Sequence, residues 1–160
     1  MTTEIETHEL TALRRESAVR HVLESYADAV TRRDTATYSA LYAPDAVWTI
    51  GPPVDQRVEG RDAIVARVSA RIANLDFFVF TVGNIVISVQ GDVAHCRSTV
   101  HELGRAAEGS DPKLPPAQNL YAIYDDELRR DGDRWLFTAR RFTFLYRGTE
   151  VPTGQAFPIL

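Results

Sequence analysis

The sequence has little cysteine, little lysine and no long apolar run. Cys96 is the one cysteine among 160 residues, so an internal disulfide is excluded, and we interpret it as a small buried side chain in a strand. No segment approaches the roughly 20 apolar residues of a membrane-spanning helix. The N-terminal stretch MTTEIETHEL is acidic and lacks the basic and apolar regions of a signal peptide. These absences predict a cytoplasmic protein with no membrane partner.

Metal-ligand motifs and excess positive charge are also missing. The four histidines show neither HxH nor HExxH spacing, the patterns that are typical of metal sites. We therefore predict no metal and no other cofactor. The formal net charge is −4, whereas a face that binds nucleic acid needs an excess of basic residues. A nucleic-acid partner is not expected.

What remains is the composition of an ordinary folded domain. Of the 160 residues, 44% are hydrophobic and 25% are charged, which is typical of a globular chain large enough to bury a core. No internal repeat or long linker divides the sequence. We predict a single domain over residues 1–160, with its core at about 15–147 and a tail at each end.

Hydrophobic periodicity predicts helices in the first half of the chain. Residues 9–33 follow helical spacing, Asp34 is the expected N-cap of a short helix over 35–43 that Pro44 ends, and 61–74 form a third helix. Residues 51–60 are rich in chain-breaking residues and predict a loop. The apolar stripe of the first helix consists of Leu10, Leu13, Val19, Val22, Leu23, Tyr26 and Val30.

Strands dominate the second half. We predict a first strand at 46–50, followed by long strands at 77–89, 93–103, 118–130 and 134–147, with a polar, proline-bearing loop at 105–117. Helices followed by a strand meander indicate an α+β fold, in which the helices pack on one face of a strongly curved, mainly antiparallel sheet. Such a cone encloses an apolar pocket suited to a small molecule.

Four segments carry a family resemblance: YADAVTRRDTATYSALYAPDAVW at 26–48, VEGRDAIVAR at 58–67, GNIVISVQGDVAH at 83–95 and YDDELRRDGDRWLFTARR at 124–141. With this element order, the chain resembles the nuclear-transport-factor-2-like superfamily, and especially its SnoaL-like branch. That superfamily includes ketosteroid isomerases, scytalone dehydratase, polyketide cyclases and non-catalytic binding modules. The resemblance implies the cone-shaped fold and a homodimer paired through the outer face of the sheet. Function depends on the site and not on the fold.

The chain departs from its relatives at the residues that do chemistry. Where many SnoaL-like dehydratases carry an aspartate and a histidine as a dyad, this sequence has Thr31 and Phe80. Ile50 stands near the base aspartate of ketosteroid isomerases, while Tyr26 matches their oxyanion-hole tyrosine. The resemblance therefore implies an altered mechanism, with less emphasis on dehydration than on cyclisation.

His101 is the histidine that remains for proton transfer. It lies in a strand that lines the cavity in relatives, and an imidazole exchanges protons near neutral pH. The alternative is an edge histidine bonded to a neighbour such as Glu102. We predict His101 and Tyr26 as catalytic residues, acting as general acid or base and as oxyanion donor. The predicted substrate-binding residues are Tyr42, Trp48, Phe80, Asn84, Thr99, Asn119 and Tyr121.

Three hypotheses for function follow. The first is a cofactor-independent enzyme of secondary metabolism that cyclises, isomerises or dehydrates a small apolar metabolite of polyketide or terpenoid type. The second is a non-catalytic module for small-molecule binding or dimerisation, favoured by the absent dyad. The third is a subunit of a larger oxidoreductase, which the short C-terminal tail disfavours.

Overall fold

The computed structural model describes residues 2–113 and 115–159, and the side chains from residue 7 onwards within those ranges. The helices are α1 (Thr2–Thr31), α2 (Thr35–Ala40) and α3 (Arg61–Ala73). The strands are β1 (Tyr42–Ile50), β2 (Gln56–Glu59), β3 (Leu75–Gln90), β4 (Val93–Ala106), β5 (Ala117–Asp131) and β6 (Arg134–Arg147). The order of helices and strands agrees with the predicted α+β fold.

The six strands form one curved sheet in the order β2-β1-β6-β5-β4-β3. All neighbouring pairs are antiparallel except β1 and β6, which run parallel. The helices pack on one face, with α1 against β3 and α3 against β1. The predicted α+β cone, with N-terminal helices on a strongly curved and mainly antiparallel sheet, is confirmed.

Side-chain alternation along β4 and β5 divides the sheet into an inner and an outer face. The inner face of β4 carries the buried residues Ala94, Cys96, Ser98, Val100 and Glu102, and that of β5 carries Leu120, Ala122, Tyr124, Asp126 and Leu128. Cys96 is buried, as interpreted from the sequence. Its burial raises the pKa of the thiol to about 12, so the side chain is protonated and inert at neutral pH.

The first helix covers the sheet only with its second half. Val19, Leu23 and Val30 are buried, whereas Leu10 and Leu13 are exposed. The apolar stripe predicted for this helix is therefore buried from Val19 to Val30 and exposed at Leu10 and Leu13. This part of α1 borders a hollow that it shares with Ile87 and Val89 of β3, and Arg15 donates to the Gly91 carbonyl at 3.3 Å.

Two local predictions around β1 are also revised. Asp34 caps α2 as predicted, since its carboxylate accepts from the Thr37 backbone N–H at 3.0 Å. Pro44, however, lies inside β1 and does not end α2, which stops at Ala40. Pro44 is tolerated because the pairing of β1 with β6 is interrupted between Tyr42 and Val47. The predicted loop 51–60 contains β2, the short edge strand.

No helix within residues 2–113 or 115–159 combines the length and the apolar character that crossing a bilayer requires.

Candidate functional site

A pocket of about 390 Å³ opens at the wide end of the cone. We call it the mouth pocket. Its apolar wall contains Trp48 and Ile50 from the end of β1 and Phe142 and Phe144 from alternate positions of β6. Its polar lining is Arg67, Arg71, Asn74, Gln118 and Arg147. Its size lies in the range of small-molecule sites, and the mixture of apolar walls with few polar groups is typical of them.

The cone is largely filled below the mouth pocket. A floor void of about 10 Å³ lies there, lined by residues that include Tyr26, Phe80, Glu102 and Tyr124. Trp48 and Arg71 line both spaces. They therefore stand at the boundary, where a group entering from the mouth would meet them before reaching the floor. The void has room for about one water-sized group.

Glu102 is a buried carboxylate at this floor. Its side chain is 3% exposed and forms an ion pair with Arg71. The side-chain amide of Gln118, with its oxygen turned towards Arg71, accepts a hydrogen bond from the same guanidinium. A buried carboxylate needs such partners because the interior does not solvate its charge. Arg71 and Gln118 thus fix the orientation of this carboxylate beneath the pocket.

Trp48 carries an unpaired donor at the same boundary. The residue is 3% exposed, and its indole Nε1–H is buried without a hydrogen-bond partner among the described residues. Nearly all buried donors in proteins are paired, so an orphan N–H next to a cavity indicates a place for an acceptor. An oxygen bound between Trp48 and Glu102 would satisfy it.

A second buried charge cluster lies deeper in the cone. Arg140 donates two hydrogen bonds to Asp126, at 2.8 and 3.1 Å, and one to the Tyr42 hydroxyl at 3.2 Å. Its guanidinium carbon lies 4.2 Å from the ring centre of Tyr26 and 3.9 Å from that of Tyr124. Burial raises the pKa of Asp126, although the charge of Arg140 opposes this shift. The cluster satisfies its own groups and is a structural element of the core.

His101 does not face the pocket. It lies on the outer face of the sheet, where its ring stacks on Tyr121 with the centroids 4.3 Å apart and its Nε2 is 3.3 Å from Asn119 Oδ1. Thr99 shares the strand parity of His101 and the outer face. The prediction that His101, Thr99, Asn119 and Tyr121 line the cavity is wrong, because the inward parity of β4 and β5 belongs to the even-numbered residues.

The other predicted site residues divide between the core and the surface. Trp48 lines the mouth pocket and the floor void, and Tyr26 and Phe80 line the void. Tyr42 is buried against Arg140. Burial is the main reason that the pKa of Tyr26 lies well above its usual value, so its hydroxyl stays protonated as a hydrogen-bond donor. Asn84 is exposed at a bulge of β3, with a φ of +49°, and is not in the pocket.

The positions of the missing dyad are occupied by a structural contact. The Thr31 hydroxyl accepts from the Phe80 backbone N–H at 3.0 Å and lies 3.2 Å from the Phe80 carbonyl oxygen. This pairing joins the end of α1 to β3. Thr31 and Phe80 therefore hold the helix on the sheet at the place where relatives are expected to carry an acid and a base.

Glu102 and Arg71 were not predicted as site residues, although the sequence contained a signal for Glu102. In β4 the small or apolar residues Ala94, Cys96 and Val100 share its parity, and the polar residues His95, Arg97, Thr99 and His101 share the other. This alternation indicates which face is buried. No comparable signal identifies Arg71, because its role depends on the approach of α3 to β4. Within the described residues, no three His, Cys, Asp or Glu side chains converge as metal ligands do.

Comparison with solved structures supports the architecture. A candidate scytalone dehydratase from Novosphingobium aromaticivorans is 22% identical, with a TM-score of 0.75 over 92% of this chain and 98% of its own. The hexachlorocyclohexane dehydrochlorinase LinA-type3 from Novosphingobium barchaimii is 18% identical, with a TM-score of 0.73 over 95% and 99% of the two chains. A protein from Kribbella flavida is 14% identical, with a TM-score of 0.77 over 86% and 95%. At these identities the likeness concerns the fold.

No curated protein sequence matches the chain. The family model of the SnoaL-like domain matches residues 11–141, which extend from within α1 to the middle of β6. This chain therefore belongs to the SnoaL-like domain family, within the nuclear-transport-factor-2-like superfamily.

Proposed function

We propose that the chain is a small-molecule enzyme that performs acid–base chemistry in the mouth pocket, with Glu102 as the proton-transfer group. The observation that carries this proposal is the oriented, buried carboxylate of Glu102 beside the orphan N–H of Trp48, below a pocket of about 390 Å³. Glu102 replaces His101 in the role predicted from the sequence.

The chemistry that suits this arrangement is proton abstraction next to a carbonyl. The Glu102 carboxylate takes a proton from a carbon α to the carbonyl, and the electron pair of the C–H bond moves onto the carbonyl oxygen as an enolate. Trp48 donates its Nε1–H to that oxygen, where the negative charge develops in an environment with little water. If the substrate has a β,γ double bond, returning the proton to the γ-carbon of the dienolate completes an isomerisation. Attack of the enolate carbon on a second carbonyl of the same molecule, followed by transfer of the proton from Glu102 to the resulting alkoxide, completes a cyclisation.

The rest of the site supplies position. Arg71 and Gln118 hold Glu102 in place, and the aromatic wall of Phe142 and Phe144 orders an apolar substrate body. Holding the reacting groups in position is itself a large part of catalysis. An apolar polyketide- or terpenoid-like metabolite, a role in secondary metabolism and a cytoplasmic location fit this proposal.

The test uses the neutral ketone 2-tetralone and follows deuterium exchange of its α-protons by NMR in D₂O. We expect the wild type to accelerate exchange and Glu102→Gln to lower the rate by about 100-fold, the usual contribution of a general base. Glu59→Gln, at an exposed carboxylate in β2, and His101→Phe on the outer face are expected to keep the wild-type rate. Circular dichroism checks that each variant is folded.

Two results would contradict this proposal. One is wild-type exchange no faster than in buffer. The other is a rate that falls in His101→Phe and not in Glu102→Gln.

The second candidate is a binding module without catalysis. The observation that favours it is the Thr31–Phe80 contact, which occupies the place of the expected dyad with a purely structural pairing. A binding module would retain 2-tetralone in the pocket, visible as a shift of the Trp48 indole N–H resonance, while the α-protons exchange only at the rate in buffer. The same NMR samples distinguish the two candidates.

A further inference from the structure

The rim of the mouth pocket carries an unusual concentration of positive charge. Three arginines, Arg67, Arg71 and Arg147, line the pocket, and no aspartate or glutamate is among its lining residues in the part of the chain that the structure describes. The chain as a whole has a net charge of −4, so this local excess runs against the overall composition. A cleft lined by one sign of charge attracts ligands of the opposite sign.

Two of these arginines have no carboxylate partner. Arg71 is paired with Glu102. Arg67 and Arg147 are exposed, and neither forms an ion pair with any residue whose side chain the structure describes. The pocket therefore presents two free guanidinium groups at its entrance.

The backbone explains why these side chains meet. Arg67, Arg71 and Asn74 are spaced by four and three residues along α3 and its C-cap, so they follow one line on the helix surface. Arg147 comes from the far end of β6, beyond Phe142 and Phe144. Residues from a helix and from an opposing strand thus approach the entrance from two sides.

The positive groups also repel one another. Burial lowers the pKa of Arg71; Tyr124 and Tyr26 oppose the shift, and the charges of Arg67 and Arg147 lower it further. The carboxylate of Glu102 compensates one of the three charges. An anion at the entrance would relieve the remaining repulsion, and planar guanidinium groups match a carboxylate in a two-point contact.

Resting on the location of the site given above, we propose that the substrate is a planar, largely apolar molecule that carries a carboxylate, which Arg67 and Arg147 bind at the rim. The body of the molecule lies against Phe142 and Phe144. A second oxygen, at the inner end, accepts from Trp48 Nε1–H. The mouth pocket thereby narrows the small apolar metabolite predicted from the sequence to an amphipathic anion, and it fixes which end of the molecule reaches Glu102.

The test compares 2-naphthoate with its neutral analogue 2-naphthamide. Binding is followed in ¹⁵N–¹H spectra through the indole N–H resonance of Trp48, one of two tryptophans in the chain, assigned from its loss in Trp48→Phe. We expect naphthoate to bind at least about tenfold more tightly than the amide, since the charge-assisted contacts of guanidinium groups with a carboxylate are stronger than the hydrogen bonds of a neutral amide. Added sodium chloride should weaken the binding of naphthoate and leave the affinity for the amide unchanged.

The double variant Arg67→Gln/Arg147→Gln is expected to remove this preference without changing the affinity for the amide. The matched control is Arg97→Gln/Arg141→Gln, which removes the same two charges from exposed arginines that line a hollow formed by other residues. It should retain the preference for the acid. Equal binding of acid and amide, an unchanged preference in the rim variant, or no movement of the Trp48 resonance at millimolar naphthoate would each overturn the proposal.

The experiment separates this inference from the proposed function. Naphthoate has no exchangeable α-proton, so its binding does not depend on catalysis, and Glu102→Gln should not weaken it. If naphthoate fails to bind while Glu102 still promotes exchange in 2-tetralone, the substrate class is wrong and the acid–base function stands. If naphthoate binds but the α-protons of 2-tetralone exchange no faster than in buffer, the anion site is supported and the proposed enzyme function is wrong.

Discussion

At the scale of single residues, the chain buries charge in two places for two different purposes. Arg140 and Asp126 have exposed side-chain fractions of 3% and 0%, and Arg140 bonds to Asp126 and to the hydroxyl of Tyr42 in the surrounding aromatic core. Glu102 is equally buried, but its partner Arg71 is 25% exposed and reaches the pocket. The second pair thus borders the mouth pocket through Arg71, whereas the first pair is enclosed in the core.

The buried pair of Arg140 and Asp126 gives a prediction for stability. Asp126→Asn leaves the Arg140 charge uncompensated in the core and should lower the free energy of unfolding by about 3–5 kcal/mol. Replacing both partners with apolar residues, as Asp126→Leu/Arg140→Met, should restore a large part of that loss. Urea denaturation measures both values, and Asp125→Asn on the exposed face of β5 should change stability by no more than about 0.5 kcal/mol. A double variant as unstable as the single one would refute this account.

At the scale of elements, strand alternation determined which predictions succeeded. The periodicity of the chain was enough to predict α1, α3 and the four long strands, because each has many residues that repeat the same pattern. It was not enough for β2, whose four residues pair only with β1. The family resemblance predicts His101 in the pocket, whereas the alternation of β4 places it on the outer face. Arg71 and Arg147 are brought to the pocket by tertiary packing, which local sequence does not encode.

The cap of α2 gives a prediction for pH dependence. Hydrogen bonds from the Thr37 hydroxyl and backbone N–H lower the pKa of Asp34. Because the folded-state pKa lies below the unfolded value of about 3.9, the cap stabilises fully above that value and its effect is lost as the pH falls through the folded pKa. Asp34→Ala should therefore lower the melting temperature at pH 7, and the difference from wild type should shrink below about pH 4. The exposed Asp133→Ala is the control. A difference between wild type and Asp34→Ala that is constant from pH 7 to pH 3 would contradict the role of the ionised cap.

At the scale of the whole molecule, the two faces of the sheet differ in how far their side chains are exposed. The inner face is covered by helices, whereas the outer face exposes a cross-strand row formed by Thr81, His101, Tyr121 and Tyr146. Tyr121 and Tyr146 are 44% and 54% exposed. Exposed aromatic side chains grouped on one surface are typical of protein interfaces. The stacked His101 and Tyr121 thus suit a contact surface better than a catalytic one.

The outer face is therefore the proposed interface of the homodimer that the family resemblance implies. We expect the wild type to sediment as a dimer at about 100 µM and Tyr146→Asp to dissociate it, because a symmetric interface would place both introduced charges in one contact. Leu13→Asp is the control, since Leu13 is 64% exposed on α1, away from this face. Analytical ultracentrifugation gives the mass in each case. A monomeric wild type would remove the dimer altogether. Dissociation by Leu13→Asp and not by Tyr146→Asp would move the interface to the exposed N-terminal half of α1, leaving the outer face of the sheet without a partner.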